Sequence, residues 1–349
     1  MKHSLHRIPL LRRLWLAAML LVLAAPSLGA DETPMKLTGA GASFPAPLYL
    51  RWFRDYYLAH PGVLVDYQSI GSAGGVKDLI AGRVDFAGSD LPLTDEQAAR
   101  VPGGVRQLPM AAGGIVLVYN LEGVQDLRLS RQALVGIFLG TVERWNDPVI
   151  AAANPGVSLP DVPIVVVARS DSSGTTYKFS RHLSAVSDTF TEQVGTSMLP
   201  NWPEPLKLRG GLVRGRGNDG VAANVRAIPG SIGYVQYAFG LLPGISMAVM
   251  ENRAGNFVAP PAVGFGVALK SLIEDRALKD AADPRGEGSY PIVGVSWLLL
   301  RKDYQDPEKL SALKSVVEYA MGPGQDVAEQ FGYIPFPPIL IHSVLEQLK

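Results

Sequence analysis

"VLVDYQSIGSAGGVKDLIAGRVDFAGSD", residues 63–90, holds a β-compatible run from Val63 to Gln68, a Gly/Ser loop from Gly71 to Gly75, and a helix closed by Gly82. A second short strand follows and ends in Ser89 and Asp90. Strand, helix and strand in that order make a parallel pair joined by a crossover. The same plan stands just upstream in "KLTGAGASFPAPLYLRWFRDYYLAHPG", with loop residues Gly39 to Ser43 and apolar and aromatic residues at helical spacing from Leu48 to Leu58. Just downstream, Thr94 caps the next helix.

A second set of the same kind begins at "GGIVLVYN", a strand, and "SRQALVGIFLG", a helix with Ser130 at its cap. "VPIVVVARSDSSGTTYKFSRHLS" reads as strand, loop and helix, and "GNDGVAANVRAIPGSIGYVQYAF" as loop, helix and strand. Late in the chain "YPIVGVSWLLLRKD" is a strong strand, followed by the helical "PEKLSALKSVVEYAM" and "ILIHSVLEQLK". The expectation is an α/β protein with mostly parallel sheets flanked by helices, and 349 residues allow two domains of ordinary size.

The first 30 residues are of another kind. Lys2, Arg7, Arg12 and Arg13 precede the apolar "LWLAAMLLVLAA", then Pro26 and small residues, which is the pattern of a cleavable secretory signal peptide. That run is short for a bilayer span. All 32 acidic residues lie beyond it, so the remainder carries 32 − 4 = 28 Lys and Arg against 32 Asp and Glu, a net of −4. A mildly acidic chain lacks the broad basic surface that nucleic acid or anionic lipid requires. Without any cysteine there is neither a disulfide framework nor the acylated residue of a lipoprotein, so a freely diffusing protein outside the cytoplasmic membrane is expected.

In open α/β sheets ligands sit beyond the carboxyl ends of the strands, where loops meet helix starts. Four polar clusters fall at such places: Ser43 with Phe44, Ser72, Asp90, and the run from Arg169 to Thr175. Each has a plainer reading, as helix caps for Ser43 and Ser72, a turn residue for Asp90, and a surface pair for Arg169 with Asp171. Together, unpaired N–H groups, hydroxyls and one guanidinium describe a dry socket for a small tetrahedral oxyanion. "GAGAS" and "GSAGGVK" fit neither a dinucleotide fingerprint nor a Walker A loop. No GxSxG elbow and no close-spaced metal-ligand set occurs, and Ser173 and His182, nine apart on one helix, cannot meet as nucleophile and base. No catalytic residue, cofactor or metal is expected.

"LTGAGASFPAPLYLRW", "IGSAGGVKDLIAGRVDFAGSDLPLT", "RSDSSGTT", "GNDGVAANVRAIPGSIGYVQYA" and "FGYIPFPP" resemble, in order, the motifs of the periplasmic phosphate-binding proteins (PstS) of bacterial ABC phosphate importers. The resemblance implies a two-lobed, type II Venus-flytrap protein closing on one phosphate. Its first lobe would combine residues 31–108 with 290–349, its second would be 109–289, and segments near "QLPMAAGG" and "YPIVGV" would form the hinge. By the same resemblance Ser43, Phe44, Ser72, Asp90, Arg169, Ser173, Gly174 and Thr175 would hold the anion, and Asp171 would orient Arg169. Ser43 stands where threonine is common in that family and Ser172 where glycine is common.

Asp90 is an odd neighbour for an anion unless the anion carries a proton. An ionised carboxylate accepts the proton of phosphate but meets sulfate lone pair against lone pair. The expected ligand is therefore inorganic phosphate, and the resemblance implies a periplasmic monomer that serves an ABC permease complex in the inner membrane. Two rivals keep the site and change its use: a secreted scavenger or sensor without a permease, and a phosphomonoesterase using Ser173 or Ser72.

Overall fold

A computed structural model of the chain describes residues 33–260 and 262–349. The signal-peptide reading of residues 1–30 lies outside the described residues. In chain order the strands are β1 (Met35–Gly41), β2 (Val63–Ser69), β3 (Phe86–Ser89), β4 (Val105–Tyr119), β5 (Arg128–Leu129) and β6 (Val165–Arg169). They continue with β7 (Leu212–Gly215), β8 (Ser231–Gln236), β9 (Ser246–Met247), β10 (Val249–Glu251), β11 (Phe257–Val258) and β12 (Val293–Arg301). The longer helices are α1 (Ala46–Ala59), α2 (Ser72–Ile80), α3 (Arg131–Leu139), α4 (Gly174–Val186), α5 (Gly217–Ala227), α6 (Ala262–Glu274), α7 (Pro307–Met321) and α8 (Pro338–Leu348). Among the described residues no helix is long and apolar enough to cross a membrane.

The main sheet runs β2-β1-β3-β12-β4-β8-β6-β7, with β9 added on β4, and a small sheet runs β11-β10-β5. Strands β2, β1 and β3 are parallel at one end, and β8, β6 and β7 are parallel at the other. Between them β12 and β4 run antiparallel to their neighbours. The expected parallel arrangement thus holds at the two ends and gives way to a mixed sheet in the middle. Crossover helices account for the ends; the two central strands arrive from distant parts of the chain and pair without a crossover.

The long strand β4 changes partner along its length. Val105–Gly114 pairs with β12, and Ile115–Tyr119 pairs with β8. Its residues from Leu108 to Tyr119 are all buried, the continuous run expected of a strand covered on both faces. Pro109 lacks the N–H that a central strand needs, and the ladder answers with a register shift. Ser296 faces Ala111 and Trp297 faces Pro109, so Met110 is left as the extra residue of a bulge.

Two aromatic clusters fill the core on either side of this centre. Tyr49, Phe53, Tyr67 and Phe86 pack edge-on or stacked beneath α1, and Phe138, Phe179, Trp202 and Tyr234 pack together beside α4. Helix starts differ from expectation in one respect. Gly71–Gly75 was expected as a loop, yet Ser72 already begins α2, and "GNDG" forms the first turn of α5. Gly71 and Gly217 take positive φ at these helix starts, while other glycines serve close approach: a Cβ on Gly75 would lie 2.5 Å from the Ala40 carbonyl oxygen, and one on Gly215 of β7 would lie 2.5 Å from the Gly220 carbonyl carbon.

Candidate functional site

The loop after β1 places Ser43 and Phe44 just ahead of α1. The buried Ser43 hydroxyl accepts hydrogen bonds from the Asn218 backbone N–H (3.2 Å) and from its Nδ2 (2.8 Å) in the first turn of α5. Phe44 turns its ring into the core, edge-on to Tyr333, whose hydroxyl donates to the Phe44 carbonyl at 2.6 Å. Of Phe44, only the backbone is left to serve a ligand.

Ser72 stands at the start of α2, where Gly71 takes φ +86°, a value that favours glycine. The Ser72 hydroxyl lies 3.5 Å from Oδ2 of Asp90 and accepts the Asp90 N–H at 3.2 Å. Asp90, directly beyond β3, is buried. Its Oδ1 accepts the Ser296 hydroxyl of β12 at 2.9 Å, and Thr175 Oγ1 lies 3.5 Å from Oδ2. Burial pushes the Asp90 carboxyl above the ordinary range, while the charge of Lys178, the Ser296 hydrogen bond, the charge of Arg169 and the Ser72 hydroxyl pull it back.

On the other side, β6 ends at Arg169 and α4 begins at Gly174. The buried Arg169 guanidinium gives Nε to Asp171 Oδ1 at 2.8 Å and Nη2 to Oδ2, a bidentate fork that fixes its plane. Its third nitrogen, Nη1, is buried without a partner among the described residues. Burial raises the Asp171 carboxyl, but the Arg169 hydrogen bonds and charge and the Gly217 N–H at 3.0 Å outweigh it and hold the group below the usual carboxylate value. Ser173 caps α4, its hydroxyl accepting the Thr176 N–H at 3.1 Å. Gly174 is the point of closest approach. A Cβ there would lie 2.4 Å from Asp90 Cβ and 2.7 Å from the Ser72 hydroxyl.

Ser43, Ser72, Asp90, Gly174 and Thr175 are thus joined by direct contacts, with Asn218 bridging Ser43 (2.8 Å) and Thr175 (3.5 Å). Arg169 joins them through Asp171, which bonds to Gly217 and would lie 2.5 Å from a Cβ on Gly71. Such a site can donate from hydroxyls, N–H groups and one cation, and accept at one carboxylate. His182 does not enter it. Burial and the Arg131 charge hold its ring down to about 3, so it stays neutral, and neither ring nitrogen has a hydrogen-bond partner among the described residues.

Sequence reasoning missed Asn218, Ser296, Tyr234 and Lys178. Asn218 had a signal, an amide in a glycine-framed helix start; Ser296 had another, one hydroxyl amid "VGVSWLLL". Tyr234, whose hydroxyl meets Thr176 Oγ1 at 2.8 Å and lies 3.3 Å from the Arg169 N–H, looks like any core aromatic of a strand.

The family model described as a PBP superfamily domain matches residues 27–323. The phosphate-binding protein PstS of Xylella fastidiosa (strain 9a5c) is 39% identical over 322 residues, covering 90% of this chain and 85% of that one. The chain belongs to the PstS family. The PstS of Pasteurella multocida (strain Pm70) is 38% identical and covers 95% of each chain. Two solved structures share the fold: a human phosphate binding apolipoprotein (TM-score 0.71, 23% identity, 88% of this chain and 93% of that one) and the phosphate-binding protein of Stenotrophomonas maltophilia (TM-score 0.67, 21% identity, 89% and 93%).

Proposed function

We propose that this PstS-family protein binds inorganic phosphate in the pocket between the β1–β3 loops and the start of α4, and delivers it to an ABC permease of the inner membrane. One observation carries the reading. A fully buried carboxylate, Asp90, touches the same donors that would hold an anion, next to a buried arginine with a nitrogen to spare. Arg169 supplies directional, charge-assisted hydrogen bonds, while Ser43, Ser72, Ser173 and Thr175 hydroxyls and the Phe44 and Gly174 backbone satisfy the other oxygens. Asp90 accepts the ligand's proton. A site built around a hydrogen bond that its competitor cannot make rejects that competitor by roughly 10⁴ to 10⁵.

The lobes follow the switch of partners in β4. Residues 31–108 with 290–349 form one and 109–289 the other, and β4 and β12 are the hinge between them; a hinge role for β4 is favoured by its change of ladder from β12 to β8 at Gly114–Ile115. Closure of the lobes dehydrates the ligand and presents to the permease a surface to which both contribute. The protein works as a monomer in the periplasm after loss of residues 1–30. We read it as a binder and not an esterase: the Ser173 hydroxyl is engaged as a helix cap, and the Ser72 hydroxyl, 3.5 Å from the Asp90 carboxylate, already accepts the Asp90 N–H. Isothermal titration of the ligand-stripped mature protein tests this. Phosphate binds one to one, sulfate does not compete, and a phosphomonoester is not turned over; turnover or a flat phosphate titration refutes the reading.

A further inference from the structure

Lys178 stands on α4 one turn beyond Thr175 and is only 2% exposed. It shares the inward face of the helix with Thr175, Phe179 and His182, and a lysine there gives up the hydration its ammonium would have in water. Its stem lies on β12. A Cβ on Gly294 would come 2.4 Å from Lys178 Cδ and 3.5 Å from Nζ, so the glycine makes room for the side chain. Two residues along β12, on the same face of the strand, Ser296 holds the Asp90 carboxylate at 2.9 Å. Lys178 joins none of the ion pairs among the described residues, so no close partner takes up its charge. Of the favourable influences on ionised Asp90, its charge is the largest, ahead of Arg169. Other titratable or charged groups around the two are Tyr49, Tyr67 and Tyr333 on the Asp90 side, Asp171 beside Arg169, Asp280 and Asp283 after α6, Arg131 paired with Asp283, and Tyr177, Arg181 and His182 on α4 itself. Asp90 and Asp171 carry two negative charges, Arg169 and Lys178 two positive ones. Without Lys178 the set is one charge negative before any anion enters.

We propose that Lys178 is the counter-cation of Asp90: a positioning residue that keeps this carboxylate ionised in the enclosed pocket and lets the pocket accept a dianion. The inference rests on the phosphate-binding reading above. Burial holds the Lys178 ammonium down to about 8, with the charges of Asp90 and Asp280 opposing the shift. A bound anion raises that value again, so above about pH 8 binding must take up a proton, and affinity falls by up to roughly tenfold per pH unit.

Phosphate titrations from pH 6 to 9.5, with sulfate as competitor, on wild type, Lys178→Met and Lys178→Arg test the proposal. In wild type the affinity declines above pH 8. In Lys178→Met phosphate binding is weaker at pH 7 by roughly 10- to 100-fold, as expected of one unit charge several ångström away at an effective dielectric near 20. Its preference over sulfate narrows and the alkaline decline disappears. Lys178→Arg keeps the preference but shows no decline, because a guanidinium does not titrate there. Wild-type affinity and preference in Lys178→Met overturn the proposal and leave phosphate binding standing. If that variant does not fold, a flat wild-type profile between pH 7.5 and 9.5 overturns it equally. Failure of wild type to bind phosphate at all refutes the underlying reading instead.

Discussion

In the proposed site Asp90 concentrates the chemistry in one side chain, because among the described residues assigned to the anion it is the one carboxylate. Asp90→Asn replaces one acceptor oxygen by an N–H₂ that sulfate welcomes as well as phosphate does. The expected outcome is a phosphate-over-sulfate preference reduced by at least about a hundredfold in competition binding, with the fold's melting temperature preserved or raised, since a buried charge has gone. The pH dependence has a definite sign. The carboxyl lies above its ordinary value because of burial, so it protonates earlier on acidification than an exposed aspartate, and sulfate begins to compete at a correspondingly higher pH. Residues of this kind were legible where their type is out of place: an acid ending a strand, or an arginine running into serines and threonines at a helix start. Ser296 and Lys178 were not, because a serine inside an apolar strand and a lysine on a helix are ordinary in sequence. The pairing of β12 with β3 and β4 brings Ser296 to the site, and the approach of α4 to Gly294 of β12 sets where the Lys178 stem lies.

At the scale of elements, α2 and α5 owe their positions to glycine. The absent side chain of Gly75 lets the first turn of α2 lie against the end of β1, which aims Ser72 at Asp90. Gly75→Ala would force the helix off the strand. Overpacking of this sort destabilises by roughly 1–3 kcal/mol, measurable by urea denaturation, and phosphate affinity falls with it because Ser72 moves. Composition pointed elsewhere: a Gly/Ser run between apolar segments signals loop, and local pattern contains nothing about the backbone a helix will touch. The strand and helix bodies were readable for the converse reason. Their periodicity is local, and α1, α4, α7 and α8 fall where the spacing of apolar residues puts them.

For the whole molecule, a ligand held from both sides of β4 and β12, as proposed, would tie distant segments together. Phosphate is expected to slow amide hydrogen exchange at residues 43–44, 71–73, 90 and 169–175 in concert; protection confined to one side of the sheet contradicts the two-sided clamp. The order of the sheet was the least legible level, since the ladder between Val105–Gly114 and β12 joins segments nearly two hundred residues apart and leaves no nearby trace. That ladder bears on how the polypeptide comes into being. Because β12 is inserted between β3 and β4, a nascent chain emerging from the ribosome keeps a slot open in its first half until residue 301 has been synthesised. Contacts of such separation form slowly. On the proposed route of export that gap gives an unfolded precursor time, and chains halted short of Val293 would leave β3 and β4 with bare edges open to aggregation.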